Sequence, residues 1–206
     1  MGRLLAGKLV LATHNNGKLA EFQALMAPYG VDVLSVGQLG LPVPEETGTT
    51  FIENARIKAL AALQATGLPA LADDSGLCIE ALGGAPGVYT ADWAGPTRSW
   101  DVAMAKAQNE LLAAGATVPA QRRGTFISVL TLIWPDGHSE TFEGRAEGIL
   151  VWPTRGMHGH GYDPMFQPDG SNQTFAQMPE AEKNTISHRA RSFQQLAKAC
   201  LGATAS

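Results

Sequence analysis

The apolar run Leu9-Val10-Leu11-Ala12, bounded by Lys8 and Thr13, predicts a short buried strand, and His14-Asn15-Asn16-Gly17 after it is turn chemistry. Lys18 to Met26 reads as a helix, stopped by Pro28 and Gly30. Val31 to Val36 is a second strand, and a Gly/Pro-rich connection runs from Gly37 to Gly48. Thr50-Phe51-Ile52-Glu53 has the capping-box spacing, in which the Thr and Glu side chains each satisfy an orphan amide. A helix therefore starts there and runs to about Thr66, before Gly67 and Pro69. Ala70-Leu71-Ala72 is a small strand leading into Asp73-Asp74-Ser75-Gly76, and Leu77 to Glu80 continues extended. Gly83 to Gly87 is a compact turn, and Trp100 to Ala114 reads as a helix. Strands over 123–134 and 139–151 flank Pro135-Asp136-Gly137, a hairpin signal, and a Gly/His loop follows from Gly156 to Asp163. The last helix starts near Ser187. Phe193, Leu196, Ala197, Cys200 and Leu201 then fall on one face, which closes on the core. With no internal repeat or linker, residues 1–206 read as one α/β domain, its sheet partly parallel and partly a long hairpin.

Composition narrows what such a domain can do. Apolar residues make up 45% of the 206, enough for a sizeable core. Charged residues are only 17%, and fifteen Lys and Arg face nineteen Asp and Glu, a formal charge of -4. A broad basic surface is excluded, and with it a nucleic-acid or anionic-membrane partner. A polyanion can be handled only by concentrating a few cations at one point. Cys78 and Cys200 cannot make a disulfide scaffold, and both are expected as buried thiols in a reducing compartment. No apolar run approaches a membrane span, and Met1 to Lys8 is too short and interrupted for a signal peptide. Gly2 suggests myristoylation, but Ala6 stands where that pattern wants Ser or Thr. A cytoplasmic protein is the expectation.

Five segments carry candidate chemistry, each with a plainer alternative. Thr13-His14-Asn15-Asn16-Gly17-Lys18 lies where a strand gives way to a helix, whose unpaired amides and macrodipole suit phosphate; a simple turn is the alternative. It is not a Walker A loop. Glu45 and Glu46 precede the helix that carries Lys58, a cation beside apolar structure that either meets an anion or snorkels to water. Asp73 and Asp74 project from the end of a buried strand, and adjacent carboxylates repel unless a cation sits between them; an Asx turn is the alternative. Gly159-His160-Gly161-Tyr162-Asp163 suits close contact with a flat ring, and His158 with His160 makes a poor zinc site. In Glu182 to Arg189, Ser187 is an N-cap that puts His188 and Arg189 in a first turn, against the macrodipole, either to grip an anion or carbonyl oxygen or simply to reach water. Together these are the equipment for magnesium-dependent chemistry on a nucleoside polyphosphate.

The segments Ala12–Lys18, Glu45–Ala55, Ala72–Leu77, Gly83–Gly87, Gly161–Pro164 and Glu182–Arg189, in this order, resemble the inosine triphosphate pyrophosphatase family across nearly the whole chain. That resemblance implies a long mixed, partly parallel sheet with flanking helices and two lobes around a central cleft, generally in a homodimer. It implies hydrolysis of non-standard purine nucleoside triphosphates (ITP, dITP, XTP) to the monophosphate and pyrophosphate with Mg2+. Carried over by position, Asp74 resembles the general base, and Glu46 and Asp74 the magnesium ligands with Asp73 close by. Thr13, His14, Asn15, Asn16, Gly17 and Lys18 look like the triphosphate grip. Lys58, Ser75, His160, Gly161, Tyr162, Asp163, Lys183, His188 and Arg189 match the remaining substrate contacts. The chain departs from the family's common pattern at His14, where Gly is frequent, at His160, where Phe is frequent, and at Thr90-Ala91-Asp92, where Ser-Ala-Arg is frequent. A nucleotide sensor without turnover and a pyrophosphatase for pyrimidine or modified nucleotides are the alternatives.

Overall fold

The computed structural model describes residues 3–202. Met1 and Gly2, on which the myristoylation reading fell, lie outside the described residues. The chain runs β1 (Gly7–Leu11), α1 (Asn16–Met26), β2 (Val31–Ser35), α2 (Phe51–Thr66), β3 (Ala70–Ile79), α3 (Trp100–Ala113), β4 (Arg123–Ile133), β5 (Ser139–Leu150), β6 (Phe166–Pro168), α4 (Glu180–Ile186) and α5 (His188–Cys200). The strands form one sheet in the order β2-β1-β3-β4-β5-β6. β1 lies parallel to both β2 and β3, whereas β6 is antiparallel to β5, so the sheet is mixed as expected. Among the described residues, no helix is long and apolar enough to cross a membrane.

Contacts divide the chain into two compact units. The first takes the chain up to Asp74, Val129–Glu143 and the chain from Ser192 onward; the second takes Ser75–Ser128 and Gly144–Arg191. Each has its own core. In the first, Leu9, Leu11, Phe22, Met26, Leu71 and Leu130 pack with Phe193, Leu196 and Cys200, the face expected of the last helix. Phe22 and Phe193 meet edge to face at 6.4 Å. In the second, Leu77, Ile79, Met104, Leu111, Phe126, Phe166 and Phe175 form the core, with Tyr162 buried among them. Burial of a Phe or Leu at such positions stabilises by roughly 1.5–3 kcal/mol each.

Local signals act where the sequence placed them. Thr50 caps α2 in a full capping box with Glu53, and Gly67 ends the helix in the left-handed conformation at φ 67. Two elements were not anticipated. β6 has three residues and α4 seven, too short for either periodicity to register. A third difference matters more. The carboxylates Asp73 and Asp74 were expected at the end of a strand finishing near Ala72, yet β3 runs unbroken for ten residues through them. Asp is a poor strand residue, but here each carboxylate meets a lysine, so the charge no longer ends the strand. Cys200 is buried while Cys78 is only half-buried, which corrects the expectation for the latter.

Candidate active site

The charged residues of the first unit converge on β3. Lys18, in the first turn of α1, places Nζ 2.8 Å from Asp73 Oδ2, and the Asp73 side chain is 2% exposed. Lys58, from the middle of α2, places Nζ 2.7 Å from Asp74 Oδ1 and 3.4 Å from Glu46 Oε2. It also donates to the Asp73 carbonyl at 3.2 Å. Lys58 is therefore paired and does not snorkel. Burial pushes the Asp74 carboxyl up; the Lys58 charge and hydrogen bond pull it back, Glu46 and Asp73 push again, and it comes to rest at about 6. For Lys58, burial favours the neutral form, but the Asp74 charge and hydrogen bond, with Glu46 and Asp73, outweigh it and hold the ammonium above its ordinary value.

The loop that carries Glu46 is fixed from α2. Asn54, 3% exposed, accepts a hydrogen bond from the Gly48 amide at 2.8 Å. A Cβ at Gly48 would lie 2.6 Å from Asn54 Oδ1, so only glycine allows this approach. Asn54 was not singled out in the sequence; its signal was its place one turn before Lys58.

The Thr13–Lys18 loop is more self-contained than expected. Asn15 caps α1, its side chain accepting from the Gly17 and Lys18 amides, and Thr13 Oγ1 accepts from the Asn15 amide. These three amides are thus not open to a phosphate as they stand, while Asn16 is exposed and Lys18 is half-buried in its pair with Asp73. His14 donates from Nε2 to the Leu41 carbonyl at 2.7 Å.

In the second unit, Asp163 is the hub. Its side chain is 3% exposed, forms an ion pair with Lys183, and accepts from the His160 amide at 2.6 Å. The Gly159–Asp163 loop is thereby tied to α4. Tyr162 is 1% exposed, it donates to the Thr90 carbonyl at 3.4 Å, and burial raises its hydroxyl, so its ring packs in the core. Thr90, noticed in the sequence only as a departure, accepts from the Leu77 amide at 2.9 Å and donates to the Gly87 carbonyl at 2.6 Å, bracing β3. Ser187 caps α5 through the Ala190 amide at 3.1 Å. His188, the first residue of α5, stacks on Phe126 at 4.9 Å and 13°. Arg189 donates to Ser75 Oγ at 3.4 Å, beside Asp74 in sequence.

Among the described residues no three of His, Cys, Asp and Glu converge as a ligand set. Magnesium needs less from a protein, one or two carboxylates with phosphate oxygens completing the shell. Glu46 and Asp74, which share one ammonium and hold one partly protonatable carboxyl, are hard oxygen donors of that kind. They fit the ion.

An α/β sheet whose third strand carries paired carboxylates held by lysines defines a protein equipped for a phosphorylated ligand. The Ham1 family model matches residues 9–199, and the chain belongs to that family. It is 52% identical to a dITP/XTP pyrophosphatase of Bradyrhizobium diazoefficiens, over 98% of this chain and 99% of the relative. It is 56% identical to one of Ruegeria pomeroyi, over 94% and 95%. Among solved structures, a HAM1 protein from Coxiella burnetii superimposes with a TM-score of 0.87 at 39% identity, covering 93% of this chain and 96% of that one.

Proposed function

We propose that this chain hydrolyses ITP, dITP and XTP to the monophosphate and pyrophosphate with Mg2+, as a cytoplasmic homodimer, and so clears non-standard purines from the nucleotide pool. Relatives more than half identical over nearly their whole length bear the name dITP/XTP pyrophosphatase. The observation that carries the reading is the lysine-held carboxylate pair, with Lys58 Nζ 2.7 Å from Asp74 Oδ1 and 3.4 Å from Glu46 Oε2. A carboxylate fixed in this way can orient a water and take its proton.

Asp74 would orient a water and take its proton as the water attacks phosphorus. Attack at the α-phosphorus follows from the resemblance. Glu46 and Asp74 would hold the magnesium, which when bound neutralises phosphate oxygens and draws them into place. Lys18, Lys58 and Lys183 would offset the charge that grows on the departing pyrophosphate. Arg189 and His188 supply donors for the purine 6-oxo group. Adenine presents an amino group there and leaves such donors unmatched, which discriminates strongly.

A panel of ITP, dITP, XTP, GTP, ATP, dTTP and UTP with magnesium, scored by pyrophosphate release, tests the proposal. Preference for ITP, dITP and XTP over GTP and ATP is expected. Preference for dTTP or UTP would overturn the substrate class, and ITP binding without pyrophosphate release would make the protein a sensor. Light scattering of the eluted protein tests the dimer.

A further inference from the structure

Trp100, the first residue of α3, has no role in the mechanism above. Its indole lies edge-on to two side chains of the Gly159–Asp163 loop, at 5.3 Å and 70° from His160 and at 5.8 Å and 65° from Tyr162. Gly161, between those two, passes over the same ring: a Cβ there would lie 3.8 Å from Trp100 Cζ3. Ser99 caps the helix start through the Val102 amide, and Trp100 packs against the second unit's core, so the indole belongs to regular, packed structure.

His160 lies on an irregular segment instead. Gly159 and Gly161 flank it at φ 79 and φ 67, conformations that glycine reaches freely, so the loop has much freedom to lose. Asp163 fixes the His160 amide, which settles the backbone there. The imidazole then meets Trp100. Aromatic pairs in edge-to-face contact hold one another's orientation, and a ring already ordered costs less to immobilise when a ligand stacks on it.

We propose that Trp100 is a positioning residue for base recognition: it holds the His160 ring in the orientation in which that ring meets the purine. The proposal rests on the nucleotide reading above and adds that a residue with no role in that mechanism tunes affinity for the base.

A double-mutant cycle tests this. Trp100→Leu keeps apolar volume and loses the ring, Trp100→Phe keeps an aromatic edge, and His160→Ala removes the positioned group. Inosine monophosphate binding is measured by calorimetry, and kcat and KM on ITP. Trp100→Leu should weaken inosine monophosphate about 3- to 10-fold and raise KM similarly. Its kcat should stay within about twofold of wild type, since no interaction special to the transition state is touched. Trp100→Phe should recover most of the loss, and on a His160→Ala background Trp100→Leu should change nothing further. Additive effects, a loss confined to kcat, or Trp100→Phe no better than Trp100→Leu would overturn the proposal. If the Leu variant fails to fold, the same cycle with Trp100→Phe decides, with a smaller coupling of the same sign expected. Wild-type protein that neither hydrolyses ITP nor binds inosine monophosphate overturns the functional reading and this one with it. Active wild type with an additive cycle overturns only the role of Trp100.

Discussion

The two groups of site residues are held by opposite balances of force. On β3 of the first unit, Asp74 is charged at a cost: burial outweighs what Lys58 returns, and the carboxyl is left near 6. In the second unit, Asp163 is buried yet fully engaged, taking Lys183 and the His160 amide. One carboxylate is kept reactive by incomplete compensation, and the other is spent on holding a loop. Groups that do chemistry are commonly left unsettled in this way, while groups that position others are satisfied.

Replacing each carboxylate should therefore have a different main consequence. Asp163→Ala strips Lys183 of its partner and the His160 amide of its acceptor. Breaking a buried pair from one side costs about 3–5 kcal/mol, so urea unfolding should show a loss of that order. Loss of nucleotide affinity should accompany it through the freed loop. A variant as stable as wild type would remove the hub from the second unit.

Asp74→Asn should keep most ITP affinity and lose hydrolysis by about a hundredfold or more, the usual scale of a lost general base. Pyrophosphate release and nucleotide binding, measured side by side, check it. Unlike Asp163→Ala, this variant should differ from wild type in how its stability depends on pH.

The sign of that last effect follows from linkage. The folded carboxyl sits at about 6 against an ordinary value of 3.8, so between those limits the folded protein holds a proton that the unfolded chain has released. Metal-free wild type should thus lose stability as pH rises from about 4 through about 6, by at most about 3 kcal/mol from this group. The difference in unfolding free energy between wild type and Asp74→Asn across that window isolates it. Magnesium and the proton compete for the same oxygens, so magnesium affinity should fall as pH drops through about 6. A flat difference would mean that Lys58 compensates Asp74 fully and that the contrast with Asp163 is false.

The same contrast explains what could be read from the sequence. Asp73, Asp74, Lys18 and Lys58 were legible because charge beside an apolar run is unusual, and such a run also fixes strand and helix. Their pairing was not legible, because β3 brings Asp73 and Asp74 to lysines 55 and 16 positions away along the chain. The burial of the Tyr162 ring was not legible either, because its neighbours Gly161 and Asp163 read as loop residues. Trp100 gave no signal at all. A tryptophan opening an amphipathic helix looks like any core residue until the loop that lies on it is seen.

The smallest expected effect concerns His14, where the resemblance often has Gly. Its side chain makes one hydrogen bond, Nε2 to the Leu41 carbonyl, in an exposed setting. A single neutral hydrogen bond contributes about 0.5–1.5 kcal/mol, and less where water can replace the donor. Gly37 packs against His14, a Cβ at Gly37 falling 3.1 Å from His14 Cα, so the loop is braced by backbone as well as by the ring. The Gly37 amide also donates to the Thr13 carbonyl at 3.2 Å. His14→Gly should accordingly raise KM for ITP by no more than about threefold and leave kcat unchanged. A tenfold rise would show that the first unit, like the second, depends on a side chain bracing a loop, and would erase the distinction drawn between them.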